Sequence, residues 1–238
     1  MLDQLHIEKF FSQGQCPYLA ARKNMAYAFS IEEMVPGLYE ALISQGFRRN
    51  GFHFYKNICP DCDACIPIRV DVRRFRPSKS QRRVLRKNQD IRITRQRVCF
   101  DPEDFSLYRK YCRIRHDSPE HRQDYTRFLI DSPLATEMMR YYAGDHLIGI
   151  GWIDVLPNSL SSVYFVFDPD HSSRSIGVFS LLKELELCRT LGKAWLQLGF
   201  WIKDNRKMSY KNRYKPCQLL IKGKWQDFSE NLSRSEKG

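Results

Sequence analysis

"SSVYFVFDPDHSSRSIGVFSLLKELELCRTLGKAWLQLGF", residues 161–200, decides the fold of this chain. "SSVYFVFDP" reads as a continuous apolar strand, "RSIGVFSLLKELELCRTLGK" as an amphipathic helix closed by Gly192, and "AWLQLGF" as a second apolar strand. Strand, helix and strand with buried runs make a βαβ crossover, which implies parallel strands in an α/β layer. The turn between the first strand and the helix carries a second message. Backbone N–H groups at a helix start, here near Ser175 to Val178, can hold a phosphate or a developing oxyanion; a βα turn without a ligand is the alternative.

Working outward, "DPEDFSLYRKYCRIRH" from Asp101 opens with Asp-Pro and a helical period, so a boundary is expected near residue 100. The halves are then 1–100 and 101–230, with 231–238 as a flexible tail. Upstream, "VPGLYEALISQ" reads as a short helix stopped by Gly46, and "GFHFYKN" as a strand. "IPIRVDVRRF" alternates, with Ile66, Ile68, Val70 and Val72 on one face: a half-buried strand. "SKSQRRVLRKN" reads as a helix capped by Ser78 or Ser80. Downstream, "DNRKMSYKNRYKP" reads as a helix with Lys207 and Lys211 on one line and Tyr210 and Tyr214 on another, a pattern that suits either a nucleic acid or lysines snorkelling around core tyrosines.

The 238 residues suffice for a substantial core without disulfide staples, and the net charge is +12. That charge is local. Between Ile66 and Val98, twelve Arg or Lys stand against two acids, Asp71 and Asp90. Arg82 with Arg86 and Arg83 with Lys87 stack at four-residue spacing, where like charges repel, so an anion lying across the helix is expected. The other reading is a solvated basic face. Cys59, Cys62 and Cys65 repeat at the three-residue interval that brings thiolates onto one metal or cluster, and Cys16, Cys99 or Cys112 would have to supply a fourth ligand. Three small, partly buried thiols without metal are the alternative. No apolar run approaches a membrane span and the first residues do not read as a secretory signal, so a cytoplasmic protein with reduced thiols and no membrane partner is expected. His116 and His121 lack the helical offset of a shared ligand face, with Pro119 between them, and no P-loop or serine-nucleophile motif is present.

Two resemblances add to this reading. The turn after the apolar strand resembles the acyl-CoA loop of the GNAT acetyltransferases, with Arg174 and Gly177 matching and Phe179 replacing a small residue. That bulk is expected to crowd a pyrophosphate, which implies a GNAT-like fold that does not use acetyl-CoA. Taken together, "CPYL" at Cys16, "CPDCDACIPIRV" at Cys59, "SKSQRRVLRKN", "RH" at Arg115, "SSVYFVFDP", "LGFWI" and "KMSYKNRYKP" resemble the aminoacyl-tRNA–protein transferases, and within them the bacterial aspartate/glutamate leucyltransferases. The resemblance runs from about Phe11 to Trp225. It implies an α/β (α+β), GNAT-like acyltransferase fold in two halves, a mixed sheet flanked by helices. It also implies transfer of leucine from leucyl-tRNA to proteins beginning with Asp or Glu, which marks them for degradation. The related arginyltransferases are associated with an iron–sulfur cluster; here Cys16 with Cys59, Cys62 and Cys65 would be the ligand set for such a cluster or for zinc.

An aminoacyl ester is already activated, so no cofactor is needed for the transfer itself; the enzyme aligns an amine and stabilises a tetrahedral intermediate. Asp168 is the expected base, and the N–H groups around Ile176 and Gly177 the expected oxyanion donors. Arg174 or Arg213 would read the acidic first residue, and Arg82, Arg83, Arg86, Lys87, Lys207, Lys211 and Lys215 would take tRNA phosphates. The competing readings are an arginyl donor in the same reaction and a non-enzymatic RNA-binding module with a structural metal.

Overall fold

The computed structural model describes residues 9–35, 37–116 and 121–229; the expected tail, the first eight residues and Pro119 lie outside them. Two sheets organise the chain. The smaller contains β1 (Lys9–Gln15), β2 (Lys23–Ser30), β3 (Arg48–Asn50) and β4 (His53–Asn57), antiparallel throughout in the order β1-β2-β4-β3. Helix α1 (Leu38–Ser44) lies on it, and Phe29, Phe54, Tyr39 and Leu42 are buried between them.

The larger sheet has the order β12-β11-β5-β10-β9-β8-β7-β6. Its strands are β5 (Ile66–Asp71), β6 (Ile91–Arg97), β7 (Thr136–Ala143), β8 (His146–Val155), β9 (Ser159–Phe167), β10 (Trp195–Trp201), β11 (Cys217–Ile221) and β12 (Lys224–Asp227). Helices α2 (Lys79–Lys87) and α5 (Ile176–Thr190) belong to the core built on Ile68, Val70 and Leu160. A second core, around Trp152 and Val166, takes α3 (Pro102–Arg115) and α4 (Arg122–Tyr125), the latter running into a π-helical turn, Thr126–Ile130. The result is a mixed α+β fold with sheets flanked by helices.

The βαβ crossover is present, since β9 and β10 are parallel, but they pair only over Trp195↔Ser159, Leu196↔Leu160 and Gln197↔Ser161. Every other pairing in the sheet is antiparallel, so the expected parallel layer reduces to this one short contact. Beyond Gln197 the two strands part. There β10 slips register against β5 between Gln197 and Phe200, at Gly199, whose φ of +75° suits glycine.

The two sheets do not divide at residue 100, because β5 and β6 are strands of the large sheet. One further expectation is corrected. The expected helix at 204–216 is only a 3-10 turn, Ser209–Arg213. Bonds from Lys211 to Met208 and from Tyr214 to Lys211 tighten it to three residues per turn, so the lysine and tyrosine lines do not form.

The sheets are joined by polar contacts. Arg49 of β3 sends Nε to Asp154 Oδ2 at 2.7 Å and Nη2 to Thr136 Oγ1 at 3.0 Å, all three side chains being buried. Glu40 of α1 accepts from Ser159 Oγ at 2.6 Å.

Candidate active site

The arginine helix forms as expected and shows how its sequence starts it. Ser78 caps α2 by accepting from Gln81 N–H, and the Gln81 side chain accepts in turn from the Ser78 N–H, a closed capping box. Arg82, Arg83, Arg86 and Lys87 are exposed along it. Lys87 Nζ donates to Ser173 O at 2.8 Å and Asn88 Nδ2 to Arg174 O at 2.9 Å, which ties the basic helix to the turn that begins α5. No side chain caps α5, and space is open around Gly177 at the helix start, whereas Ile176 beside it is fully buried.

Several expected roles do not survive the geometry. Asp168 caps the 3-10 turn Pro169–Arg174 by accepting from Asp170 N–H, and it pairs with Lys110 at 2.6 Å. Partial burial pushes its carboxyl up, but the Lys110 ammonium outweighs this and holds it below the usual range, which makes it a poor base. Arg174 pairs through Nη2 with Asp90 at 2.6 Å, while its buried Nη1 has no hydrogen-bond partner. Arg213 is exposed, with its backbone carbonyl near Gln81 beside α2, and belongs to the basic face rather than to a carboxylate pocket. Phe179 is buried in the core against Tyr141, not in the turn, so it does not crowd an anion there. Lys207 and Lys215 are exposed as expected. Lys211 stands apart from these exposed lysines: it is partly buried and its Nζ donates to Phe200 O at 2.9 Å.

The thiols Cys16, Cys59, Cys62 and Cys65 line one cavity of about 50 Å³. Backbone N–H groups of Leu19 and Met25 point at the sulfurs of Cys16 and Cys59, both at 3.4 Å, and burial pushes the Cys65 thiol up to about 11. The donor type and number suit zinc or an iron–sulfur cluster. Yet among the described residues no three His, Cys, Asp or Glu side chains converge closely enough to hold a metal ion.

The sequence reading missed the centre of the molecule. A cavity of about 640 Å³ opens between the β3–β4 hairpin, α3, the π-helical turn and β9, walled by Phe52, Tyr108, Phe128, Tyr164, His116 and Arg127. Tyr164 OH and His116 Nε2 are 3.3 Å apart on its wall. Gly51 at the hairpin tip makes this enclosure possible: a Cβ there would stand 2.0 Å from the Arg127 carbonyl. On the α5 side of β9, Glu184 is fully buried with Ser180 Oγ at 3.3 Å from Oε1, and burial raises its carboxyl to about 7. Where β9 and β10 part, Arg48 donates to Ser162 O at 3.0 Å. "GFRRNGF" shows two arginines between aromatics but not what they face.

Known proteins share this architecture and this sequence. The family described as "Arginine-tRNA-protein transferase, N terminus" matches residues 14–83, and its C-terminal counterpart matches residues 103–221. The aspartate/glutamate leucyltransferase of Saccharophagus degradans is 39% identical over 219 residues, covering 90% of this chain and 93% of the relative. That of Shewanella putrefaciens is 41% identical over 217 residues, covering 89% and 91%. The crystal structure of FemX superposes with a TM-score of 0.53 at 8% identity, over 88% of this chain and 73% of that one, a likeness of fold alone.

Proposed function

The chain belongs to the arginine-tRNA-protein transferase family, and from that premise we propose that it is an aminoacyltransferase moving leucine from leucyl-tRNA to the α-amine of proteins that begin with Asp or Glu. The modified protein is thereby marked for degradation, and the reaction belongs to the cytoplasm, where charged tRNA is found. The observation that carries this reading is the position of the exposed arginine face of α2, tied by Lys87 and Asn88 to the start of α5. It brings a polyanion to the carboxyl end of β9, where a reacting ester would meet free N–H groups.

The amine nitrogen attacks the ester carbonyl carbon, the C–O bond to the terminal ribose breaks, and the amine's proton ends on the released ribose hydroxyl. The N–H of Gly177, at the open start of α5, serves the oxyanion of the intermediate. An α-amine of pKa about 7.7–8.0 is partly neutral near pH 7, so positioning replaces a dedicated base, a role for which Asp168 is unsuited. The aromatic cavity beside Tyr164 lies on the α3 side of β9, away from the start of α5, and offers space for a further part of the substrates. No step calls for a cofactor. The four-thiol cavity has the donors that zinc or an iron–sulfur cluster takes, and we assign it a structural part outside the transfer step.

Purified protein mixed with labelled leucyl-tRNA or arginyl-tRNA, and with peptides beginning with Asp, Glu, Lys or Ala, tests the reading. Label should pass from leucyl-tRNA to the Asp and Glu peptides alone. Label from arginyl-tRNA would change the donor, and tight tRNA binding without any transfer would leave a binding module instead.

A further inference from the structure

Where β9 and β10 diverge, each strand presents a carbonyl to a side-chain cation. Arg48 Nη2 donates to Ser162 O on β9 at 3.0 Å, and Lys211 Nζ donates to Phe200 O on β10 at 2.9 Å. A carbonyl asks only for a neutral donor, and a buried charge is costly unless a counter-charge joins it. Arg48 is only 8% exposed, with its guanidinium lying against Gly199. Burial and the neighbouring Arg48 push the Lys211 amine down to about 7. Among the described residues no carboxylate pairs with either cation, whereas the next residue, Arg49, has Asp154. The fold therefore holds a buried guanidinium and, near it, an amine drawn toward neutrality, and no acid among the described residues compensates either.

Their location indicates what would compensate them. Arg48 shares β3 with Asn50, and Ser162 shares β9 with Tyr164; Asn50 and Tyr164 line the large cavity. Two residues along a strand is about 7 Å, so Arg48 and the Ser162 carbonyl that it holds are about that far along their strands from residues of the cavity wall. A tRNA phosphate belongs to a long chain that needs an exposed track, which α2 supplies. A recessed guanidinium with an amine near it suits a lone carboxylate, which a guanidinium grips with two parallel N–H donors.

We infer that Arg48 and Lys211 receive the side-chain carboxylate of the acceptor's first residue and so select Asp and Glu, an assignment that rests on the transferase reading above. The pair replaces Arg174 and Arg213 in that role. The test measures leucine transfer at saturating leucyl-tRNA to two peptides that differ only in beginning with Asp or Asn. Lys211→Met should raise KM for the Asp peptide about tenfold with kcat little changed, and should cut the Asp-to-Asn ratio of kcat/KM by a similar factor. Arg48→Lys, which keeps the charge but loses the fork, should cut the ratio less, and Lys211→Arg should restore it. A general loss of structure would lower both peptides together and leave the ratio alone. An unchanged ratio in Lys211→Met and Arg48→Lys overturns the inference. Loss of leucyl-tRNA affinity with the ratio intact also overturns it, and assigns the pair to a tRNA phosphate. Wild-type protein that transfers leucine to neither peptide overturns the transferase reading and the pair's role with it.

Discussion

Glu184 shows how a single side chain can set a pH dependence. It is fully buried and, among the described residues, pairs with no cation; burial lifts its carboxyl from 4.5 to about 7. The folded protein therefore holds a proton there that the unfolded chain releases near pH 4.5, so the stability it contributes is present at low pH and is lost as pH rises toward 7. Glu184→Gln should leave the melting temperature near pH 4 unchanged and raise stability at pH 8 by about 3 kcal/mol, flattening the slope between. Thermal unfolding across that range checks it. The sequence hid this residue because "LLKELELC" reads as a helix with its acids outward, whereas α5 is buried over a wide arc that takes in Ser180, Leu181, Glu184, Leu185 and Cys188. Arg48 and Lys211 were hidden for a different reason: they lie far apart in sequence, and only the divergence of two strands brings them together.

At the scale of elements, what was legible was local. The apolar runs of β9 and β10, the cap of α2 and the stop of α5 before Gly192 are written in consecutive residues, and they fold as the pattern says. The arginine face of α2 is legible for the same reason, since its charges sit at helical spacing on one short segment. Reversing Arg82, Arg83 and Arg86 to Glu should weaken leucyl-tRNA binding and reduce the slope of log affinity against log salt by about 2–3, as measured by filter binding at several salt concentrations. What failed were inferences that periodicity cannot make. Period alone does not separate an α-helix from the 3-10 turn at Ser209–Arg213, and one parallel contact does not make a parallel sheet. The turn before α5 was legible as a helix start, but Asp168 looked reactive only until Lys110, from another helix, was seen beside it.

For the molecule as a whole, the two sheets depend on a buried ion pair that no single segment reveals. Arg49 and Asp154 lie on different sheets, and Thr136 Oγ1 completes the cluster by donating to Asp154 Oδ1 at 2.7 Å. Arg49→Met should cost about 3–5 kcal/mol in urea unfolding, because Asp154 is left charged and buried; pairing it with Asp154→Leu should recover much of the loss. The large sheet also ends in two open strands, and β6, one of them, carries Arg92, Arg95 and Arg97. An exposed edge invites a neighbouring chain to add itself as a further strand, and like charges spaced along it repel an identical copy. The arginines of β6 thus keep one copy from sticking to the next, and a protein stripped of them should gain self-association.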